Sequence, residues 1–176
     1  MQKNILPVFA LLFCLSAVTA PAQESIKNPL IDVKAFEAIS QEALKLREQR
    51  RIDVKTFMEM AKDPNTIILD ARSKGRYDMK HIKGAINLNI ADFAERTLAE
   101  KIPSRETRIL IYCNNNFIND SEAFMTKAMP VSLNIPTFIN LYAYGYKNVY
   151  ELGPAEDENS TVLEFESSLP MLDIKG

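Results

Sequence analysis

Short apolar runs alternate with helical stretches along most of this chain, and this alternation limits the folds that it can adopt. The runs at 66–69, 85–88, 109–112 and 149–152 are too short for buried helices and contain many β-branched and aromatic residues. With a short strand that starts at Ile52, they predict about five strands. Strands that alternate with helices form parallel sheets with helices on both faces, so we predict a single α/β domain.

Helical periodicity and capping residues define the segments between these strands. The predicted helix at 35–49 has apolar side chains three and four residues apart on one face, which indicates that it docks on the domain that follows. Asp53 and Asp120 are placed to cap the helices after them, and Gly145 suits the left-handed position after a helix end. The remaining predicted helical segments are 54–61, 74–79, 91–101, 121–128 and 136–144.

The first 22 residues have the features of a secretory signal peptide. The N-terminus carries positive charge, residues 5–18 are mainly apolar, and the small residues at 20–22 suit cleavage before Gln23. An uncleaved membrane anchor is the alternative, but the apolar run is shorter than the roughly 17–25 residues of a membrane helix. We therefore expect an exported protein, either periplasmic or secreted.

These features divide the chain into four parts. We predict a signal peptide at 1–22, an N-terminal helical extension at 23–50, the α/β domain at 51–154 and a polar C-terminal tail at 155–176, in which 162–165 are a candidate edge strand. The net charge of −2 gives no indication of a nucleic-acid or anionic-membrane partner. We therefore expect neither partner once the signal peptide is removed.

Cys113 is the residue best suited to chemistry. Cleavage of the signal peptide removes Cys14 and leaves one thiol, which cannot form an internal disulfide. This thiol follows the run at 109–112, and Asp70 follows the run at 66–69. Ligands of parallel sheets bind beyond the carboxyl ends of the strands, where both residues are expected. A buried and inert cysteine is the alternative, because cysteine is often buried.

Four segments resemble the rhodanese-like domain family, in the order in which the family has them. TIILDARS (66–73) resembles the strand that ends in Asp-x-Arg, and YDMKHIKGAINLN (77–89) resembles the segment with His-Ile-x-Gly-Ala-Ile-Asn. ILIYC (109–113) resembles the strand that delivers the catalytic cysteine, and LYAYGYKNVYELGP (141–154) resembles the closing helix, turn and last strand. The resemblance covers roughly residues 51–154, the size of one small domain.

The resemblance implies a sulfurtransferase or sulfur carrier that forms a persulfide on Cys113. Thiosulfate is the usual test donor of the family, and no metal or organic cofactor is implied. The implied partners are a small sulfur donor, an acceptor thiol or a partner protein. From the residues themselves, Asp70 is expected to support the site by pairing with Arg72 beneath it, as a structural ion pair and not in direct catalysis. The resemblance implies that His81 supports the site and is mainly structural.

The active-site loop departs from the family pattern. Family loops usually read Cys-x-x-Gly-x-Arg, whereas Asn116 and Ile118 occupy the glycine and arginine positions here. The connection from Cys113 to Gly145 is about twice the usual length, so residues 114–131 are interpreted as a replaced and lengthened loop. This departure favours the alternative function, a catalytically inactive binding or regulatory module.

The loop after Cys113 is predicted to bind an anion or a persulfide. A thiol reacts as thiolate, which backbone N–H groups and the start of a helix stabilise. Asparagine tolerates positive φ better than most residues, so an asparagine run suits a curl around the sulfur. An ordinary polar loop over a structural cysteine is the alternative. The predicted substrate-binding residues are Asn114, Asn115, Asn116, Phe117, Ile118, Asn119 and Arg72, the last of which carries positive charge.

Three other functions have less support from the residues. A cysteine phosphatase needs an arginine six positions after the cysteine, where this chain has Asn119. A cysteine–histidine dyad would use His81, the only histidine, without an accompanying pattern. The residues at 119–122 lack the spacing of a calcium-binding loop, and a capping role explains Asp120 more simply. We therefore predict no metal site.

Overall fold

A computed structural model describes residues 28–170 of the chain. The predicted signal peptide at 1–22 and the end of the tail at 171–176 lie outside the described residues. Residues 28–31 belong to a unit separate from the one that contains 32–170. Within residues 28–170, no helix is both long enough and apolar enough to cross a lipid bilayer.

The strands of the described region form a five-stranded parallel sheet and two small pairs. They are β1 (Arg51–Ile52), β2 (Thr66–Asp70), β3 (His81–Ile82), β4 (Ile86–Asn87), β5 (Arg108–Tyr112), β6 (Phe117–Ile118), β7 (Val149–Leu152), β8 (Glu156–Asp157) and β9 (Phe165–Glu166). The order in the main sheet is β1-β7-β5-β2-β4. β5 is central and pairs with β2 along its full length, from Arg108 opposite Thr66 to Tyr112 opposite Asp70. The predicted parallel sheet of about five strands is confirmed.

Helices lie between the strands at most of the predicted positions. They are α1 (Val33–Glu48), α2 (Val54–Ala61), α3 (Lys74–Met79), α4 (Glu95–Lys101) and α5 (Asn134–Ala143). Asp53 caps α2, as its Oδ1 accepts a hydrogen bond from the N–H of Thr56 at 2.7 Å. Gly145 follows α5 with a φ of 87°, the left-handed conformation expected from the sequence.

The two faces of β5 contribute to two separate apolar cores, because successive side chains of a strand point to opposite faces. Ile109 and Ile111 pack in the core with α4 and α5. Leu110 and Tyr112 pack in the other core, with α2 and residues 117–124. All four side chains are buried, which explains the unbroken apolar run and confirms helices on both faces of the sheet.

The N-terminal helix α1 docks on the domain, as predicted. It packs beside α5 and contacts β7. Ala43 of α1 is fully buried in the core that includes α5. The guanidinium of Arg47 makes two hydrogen bonds to the buried carboxylate of Glu151, one of them from Nη2 to Oε1 at 2.6 Å. This ion pair joins α1 to the last strand of the sheet.

The helix predicted at 91–101 is interrupted. Residues Ile90–Asp92 form a 3-10 turn, and α4 begins only at Glu95. Between them, the hydroxyl of Thr97 accepts a hydrogen bond from the N–H of Ala94 at 3.0 Å and donates to the carbonyl of Asp92 at 2.6 Å. This side chain therefore redirects the backbone where the sequence predicts a continuous helix.

The helix predicted at 121–128 is absent, and this prediction is wrong. Asp120 accepts hydrogen bonds from the N–H groups of Glu122 and Ala123 at 3.0 and 2.8 Å, but only turns follow. Phe124 is fully buried among aromatic side chains, and the four residues after it are irregular. Tertiary contacts of this segment therefore outweigh its local helical preference.

The tail continues the packing beyond the main sheet. β8 pairs in parallel with β6, and β9 pairs antiparallel with β3. The candidate edge strand at 162–165 is thus shifted to Phe165–Glu166, and it extends β3 instead of the main sheet. Leu163 and Phe165 pack with the core of α2. The tail is therefore part of the folded body that supports the loop after Cys113.

Candidate active site

The carboxyl ends of β2 and β5 meet at one edge of the sheet, where they bring Asp70 and Cys113 together. Asp70 is opposite Tyr112, the residue before Cys113. A pocket of about 400 Å³ opens at this edge. It is lined by residues that follow β2, β4 and β5, and by the part of the long loop at 125–133. The pocket lies where parallel sheets bind ligands.

Cys113 is covered in this conformation. Only 1% of its surface is exposed, and it does not line the pocket, although its neighbour Asn114 does. The Sγ atom lies 3.4 Å from Oγ of Ser132, just after the end of the predicted insertion. The N–H of Cys113 donates a hydrogen bond to Oδ1 of Asn116 at 2.9 Å. The thiol is therefore adjacent to the pocket but closed off from it.

Asn116 uses its side-chain amide entirely within the protein. Its Oδ1 accepts hydrogen bonds from the N–H of Cys113 and from Nδ2 of Asn134, both at 2.9 Å. Its Nδ2 donates to the carbonyls of Leu152 and Pro154 at 2.7 and 3.0 Å. These four hydrogen bonds use both N–H donors of Nδ2 and both lone pairs of Oδ1. Asn116 therefore ties the end of β5 to α5 and to the end of β7.

The asparagine run forms a 3-10 helix, Asn114–Asn116, instead of a left-handed curl. Among the residues that the structure describes, Asn119 is the only non-glycine residue with positive φ, at 71°. The expectation of positive φ at 114–116 is wrong, because a helical turn follows Cys113 directly. The left-handed residue comes immediately after β6, where the chain turns into the long loop.

Asn115 fastens the long loop to the residues after Cys113. Its Nδ2 donates a hydrogen bond to the carbonyl of Lys127 at 2.7 Å, and its Oδ1 accepts one from the N–H of Lys127 at 3.1 Å. One side-chain amide thus satisfies both backbone groups of a residue in an irregular segment. Together with the contact of Ser132, this clamp keeps the loop over the thiol.

The remaining predicted loop residues lie away from the pocket. Phe117 is buried in an aromatic cluster, with ring centres 4.4 Å from Phe124 and 5.1 Å from Phe165. Ile118 is half exposed in β6, and neither it nor Asn119 lines the pocket. Of the predicted substrate-binding residues, the structure brings Arg72 and Asn114 to the pocket and uses the others in the loop itself.

Asp70 and Arg72 form a buried ion pair beside the pocket. Nη2 of Arg72 lies 2.6 Å from Oδ2 of Asp70, and Nε lies 3.0 Å from Oδ1. Burial acts to lower the pKa of Arg72, but the carboxylate of Asp70 outweighs it and raises the pKa. The hydroxyl of Tyr112 donates to the same Oδ2 at 2.6 Å. Burial, followed by the charge of Asp70, raises the pKa of Tyr112 well above its ordinary value, so the phenol stays protonated.

Arg72 also holds the chain around the site. Nη1 donates a hydrogen bond to the carbonyl of Ala123 at 2.8 Å, and Nη2 donates to the carbonyl of Lys80 at 2.7 Å. Its guanidinium carbon lies 4.3 Å from the ring centre of Phe124. Asp70 balances the charge of Arg72, and protein oxygens accept hydrogen bonds from four of its five N–H groups, so little of its donor capacity is left for a substrate.

His81 lies in the supporting structure. It is buried, and its ring stacks on Tyr77 with centres 3.7 Å apart. Nδ1 lies 2.7 Å from the carbonyl oxygen of Tyr77, and Nε2 lies 3.4 Å from Oε1 of Glu166 in β9. The ring therefore connects α3 to the tail, and it does not line the pocket beside Cys113.

Arg76, Lys127 and Ser132 are site residues that the sequence interpretation did not single out. Arg76 lies in α3, which begins just beyond the carboxyl end of β2, and it lines the pocket together with Lys127. Its position after a strand end is a signal that would have identified it. Lys127 and Ser132 are far from Cys113 in the sequence but lie beside it or its pocket in the fold. No local sequence pattern predicts this proximity.

The residues at 119–122 make no metal site in the described region. There, no group of three or more histidine, cysteine, aspartate or glutamate side chains is arranged to hold a metal ion. Oδ2 of Asp120 lies instead 3.1 Å from Nζ of Lys80. Burial acts to raise the pKa of Asp120, but hydrogen bonds from the N–H of Ala123 and from Lys80 hold it below its ordinary value.

Comparison with known proteins finds similar sequences. A family model described as "Rhodanese-like domain" matches residues 53–153, more than half of the chain. The chain is 37% identical over 65 residues to a tRNA uridine(34) hydroxylase of Lactococcus lactis subsp. cremoris (strain MG1363), a match that covers 35% of this chain and 20% of that protein. The chain thus spans about a fifth of the length of the curated relatives that it matches.

Comparison with solved structures finds similar folds. The BH2092 protein of Bacillus halodurans is 21% identical, with coverage of 68% of this chain and 75% of that one and a TM-score of 0.45. The rhodanese-like domain of the Alr3790 protein of Anabaena sp. is 20% identical, with coverage of 67% and 79% and a TM-score of 0.47.

Proposed function

The chain belongs to the rhodanese-like domain family, and we propose that it is an exported sulfurtransferase or sulfur carrier that holds a persulfide on Cys113. One observation carries the proposal. Cys113, the free cysteine of the described region, follows the central strand and lies one residue from a pocket whose charged lining is entirely cationic. Positive charge attracts an anionic sulfur donor and stabilises a persulfide anion.

The proposed reaction has two displacements at sulfur. The thiolate of Cys113 attacks the outer sulfur of a donor such as thiosulfate, and the S–S bond of the donor breaks with its electron pair leaving on sulfite. The protein then carries Cys–S–S⁻. An acceptor thiolate attacks the terminal sulfur, the persulfide bond breaks, and the thiolate of Cys113 is restored. Neither displacement needs a metal or an organic cofactor.

Transfer requires the long loop to move, because Cys113 is covered. The clamp between Asn115 and Lys127 and the contact from Ser132 hold the loop in place. Hydrogen bonds of this kind contribute about 0.5–1.5 kcal/mol each, so releasing these contacts costs a few kcal/mol. Opening at this cost is compatible with turnover.

Intact-mass measurement tests the proposal. The purified protein, with Cys14→Ser where the N-terminal segment is retained, is incubated with thiosulfate or a polysulfide and weighed. We expect the mass of one added sulfur atom, its removal by reductant, and thiocyanate formation when cyanide is supplied. Cys113→Ser is the matched control and should stay unmodified. An unmodified native protein under all donors contradicts the proposal.

A binding or regulatory module without sulfur chemistry is the second candidate function. The burial of Cys113 and the internal use of Asn116 and Arg72 favour it, because these are the groups expected to handle a substrate. The same mass experiment separates the two functions, since a module of this kind gains no sulfur.

Export has its own test. We propose a cleaved signal peptide at residues 1–22, which removes Cys14 and leaves Cys113 as the sole thiol. N-terminal sequencing of the protein recovered outside the cytoplasm of the native cell should begin at Gln23. Recovery of the full-length chain from the cytoplasm would contradict export without affecting the chemistry at Cys113.

A further inference from the structure

We infer that the pocket beside Cys113 binds an acidic, apolar peptide segment of a partner protein, recognised by Arg76 and Lys127 and by exposed side chains of the loop at 125–131. The binding itself needs no sulfur chemistry. The identification of this partner as the donor or acceptor of sulfur rests on the proposed function.

The first support is unbalanced positive charge. The charged residues that line the pocket are Arg72, Arg76 and Lys127, with no carboxylate among the lining residues. Asp70 balances Arg72. Within the described region, no acidic side chain forms an ion pair with Arg76 or Lys127, and the nearby acidic residue Asp78 is paired with Lys74. The two cations are therefore available to a ligand that carries negative charge.

The second support is an exposed apolar rim on the same loop. Met125 lines the pocket, and Met129 and Val131 lie between two lining segments, Met125–Lys127 and Leu133. The exposed fractions of Met125, Met129 and Val131 are 52%, 84% and 62%. Three exposed apolar side chains on one short segment are suited to contact with a partner, and methionine adapts to differently shaped partners.

Arg76 connects the charged and apolar parts of this surface. Its Nη1 lies 3.9 Å from the sulfur of Met79, and its Nη2 lies 4.0 Å from the sulfur of Met125. Met79 and Met125 are both substantially exposed. When an acidic side chain of a bound peptide pairs with the guanidinium of Arg76, the neighbouring residues of that peptide therefore contact the thioethers of Met79 and Met125. This alternation of charge and apolar contact matches a polypeptide better than a simple ion.

The size of the pocket also favours a peptide over a small anion. Its volume is about 400 Å³. That value falls in the range of roughly 300–1,000 Å³ for sites that enclose ligands of drug size. Thiosulfate or sulfate, with five heavy atoms, would fill a small part of it, because a water molecule takes about 30 Å³ in the liquid. A few side chains of a peptide would fill the remainder.

A selection with random peptides tests this inference directly. A displayed library of random twelve-residue peptides is panned on the immobilised full chain carrying Cys14→Ser and Cys113→Ser, so that no covalent capture occurs. We expect enriched peptides to combine aspartate or glutamate with apolar residues. On the charge-reversed variant with Arg76→Glu and Lys127→Glu, that enrichment should disappear, and a synthetic enriched peptide should bind at least about tenfold more weakly.

Matched variants control for net charge and for exposed apolar area. Lys34→Glu with Lys55→Glu makes the same change in net charge in the first turns of α1 and α2, away from the pocket lining, and should leave the binding constant unchanged. Met129→Ser should weaken binding, whereas Val162→Ser, at an exposed position of the tail, should not. Circular dichroism confirms that each variant is folded.

Three results would overturn the inference. They are the absence of any enriched peptide, equal enrichment on the charge-reversed variant, and binding of inorganic sulfate or thiosulfate without binding of any synthetic acidic, apolar peptide. The last would make the pocket a site for small anions. Because the selection uses Cys113→Ser, peptide binding can succeed while the sulfur-transfer test fails, or the reverse. The two proposals therefore fail independently.

Discussion

The sulfur of Cys113 lies 3.4 Å from the hydroxyl oxygen of Ser132, nineteen residues further along the chain. This contact joins the end of the central strand to the end of the long loop, just before α5. The intervening loop is also held at Lys127 by Asn115. The contacts that hold the loop beside the thiol therefore come from residues outside the strands of the main sheet.

We predict that Asn115→Ala exposes Cys113 to alkylation. The change removes both hydrogen bonds to Lys127, each of which contributes about 0.5–1.5 kcal/mol, so the open loop becomes more populated. Alkylation by iodoacetamide, followed by mass spectrometry, should be about tenfold faster than in the native protein. Asn148→Ala removes a comparable hydrogen bond to Glu106 at the other end of the sheet and should leave the rate unchanged. Equal rates in all three proteins would contradict the clamp.

We predict that Arg72→Ala is strongly destabilising. It leaves the buried carboxylate of Asp70 without its ion-pair partner, and it frees the carbonyls of Lys80 and Ala123. The free energy of unfolding in urea should fall by about 3–5 kcal/mol. Arg96→Ala, on the exposed surface of α4, should change it by less than about 0.5 kcal/mol. A small effect of Arg72→Ala would mean that the pair is solvated.

We predict that Tyr112 makes the protein sensitive to alkaline pH. Its pKa is raised well above the ordinary value of 10.0, first by burial and then by the charge of Asp70. The folded protein therefore keeps a proton that the unfolded chain loses, so this contribution is complete below pH 10 and is lost as the pH rises above it. The unfolding free energy should fall by up to about 1.4 kcal/mol per pH unit from this group. Tyr112→Phe should show a shallower alkaline decline, and an unchanged slope would exclude this assignment.

We predict that Arg47→Ala loosens α1. The variant leaves the buried carboxylate of Glu151 with Arg51 alone, at 3.7 Å. The free energy of unfolding should fall by about 2–3 kcal/mol. Amide hydrogens of α1 should exchange faster in the variant than in the native protein, and those of β5 should be less affected, because the ion pair acts at the contact between α1 and β7. Lys45→Ala, an exposed change on the same helix, should leave exchange unaltered.

The sheet could be predicted from the sequence because its inner strands β2 and β5 are buried on both faces over most of their length. Residues 67–69 and 109–112 are apolar at every position, and all but Ile67 are buried, so the sequence shows these two strands without any knowledge of their partners. The helix at 121–128 was predicted wrongly. Asp120 does make the capping hydrogen bond that the sequence suggests, but the burial of Phe124 determines the conformation of the residues after it. Local signals start an element, and distant contacts determine whether it continues.

The position of the site could be predicted, but the roles of its side chains could not. Cys113 and Asp70 follow strands, so topology places them together. The hydrogen-bond partners of Asn116 lie in α5 and at the end of β7, and no sequence pattern near the asparagine run predicts them. An amide that bonds to its own fold has the same sequence signature as one that binds a substrate.

The homologous segment and the folded body of this protein end at different places. The family match stops at residue 153, yet the ring of Phe165 meets that of Phe117 edge-on, and β9 lies along β3. A protein shortened to residues 53–153 would lose Phe165 and would expose the ring of Phe117, in the loop after Cys113, to water. We expect the shortened protein to aggregate. A lack of activity in that protein would result from its insolubility and would not test the sulfur chemistry.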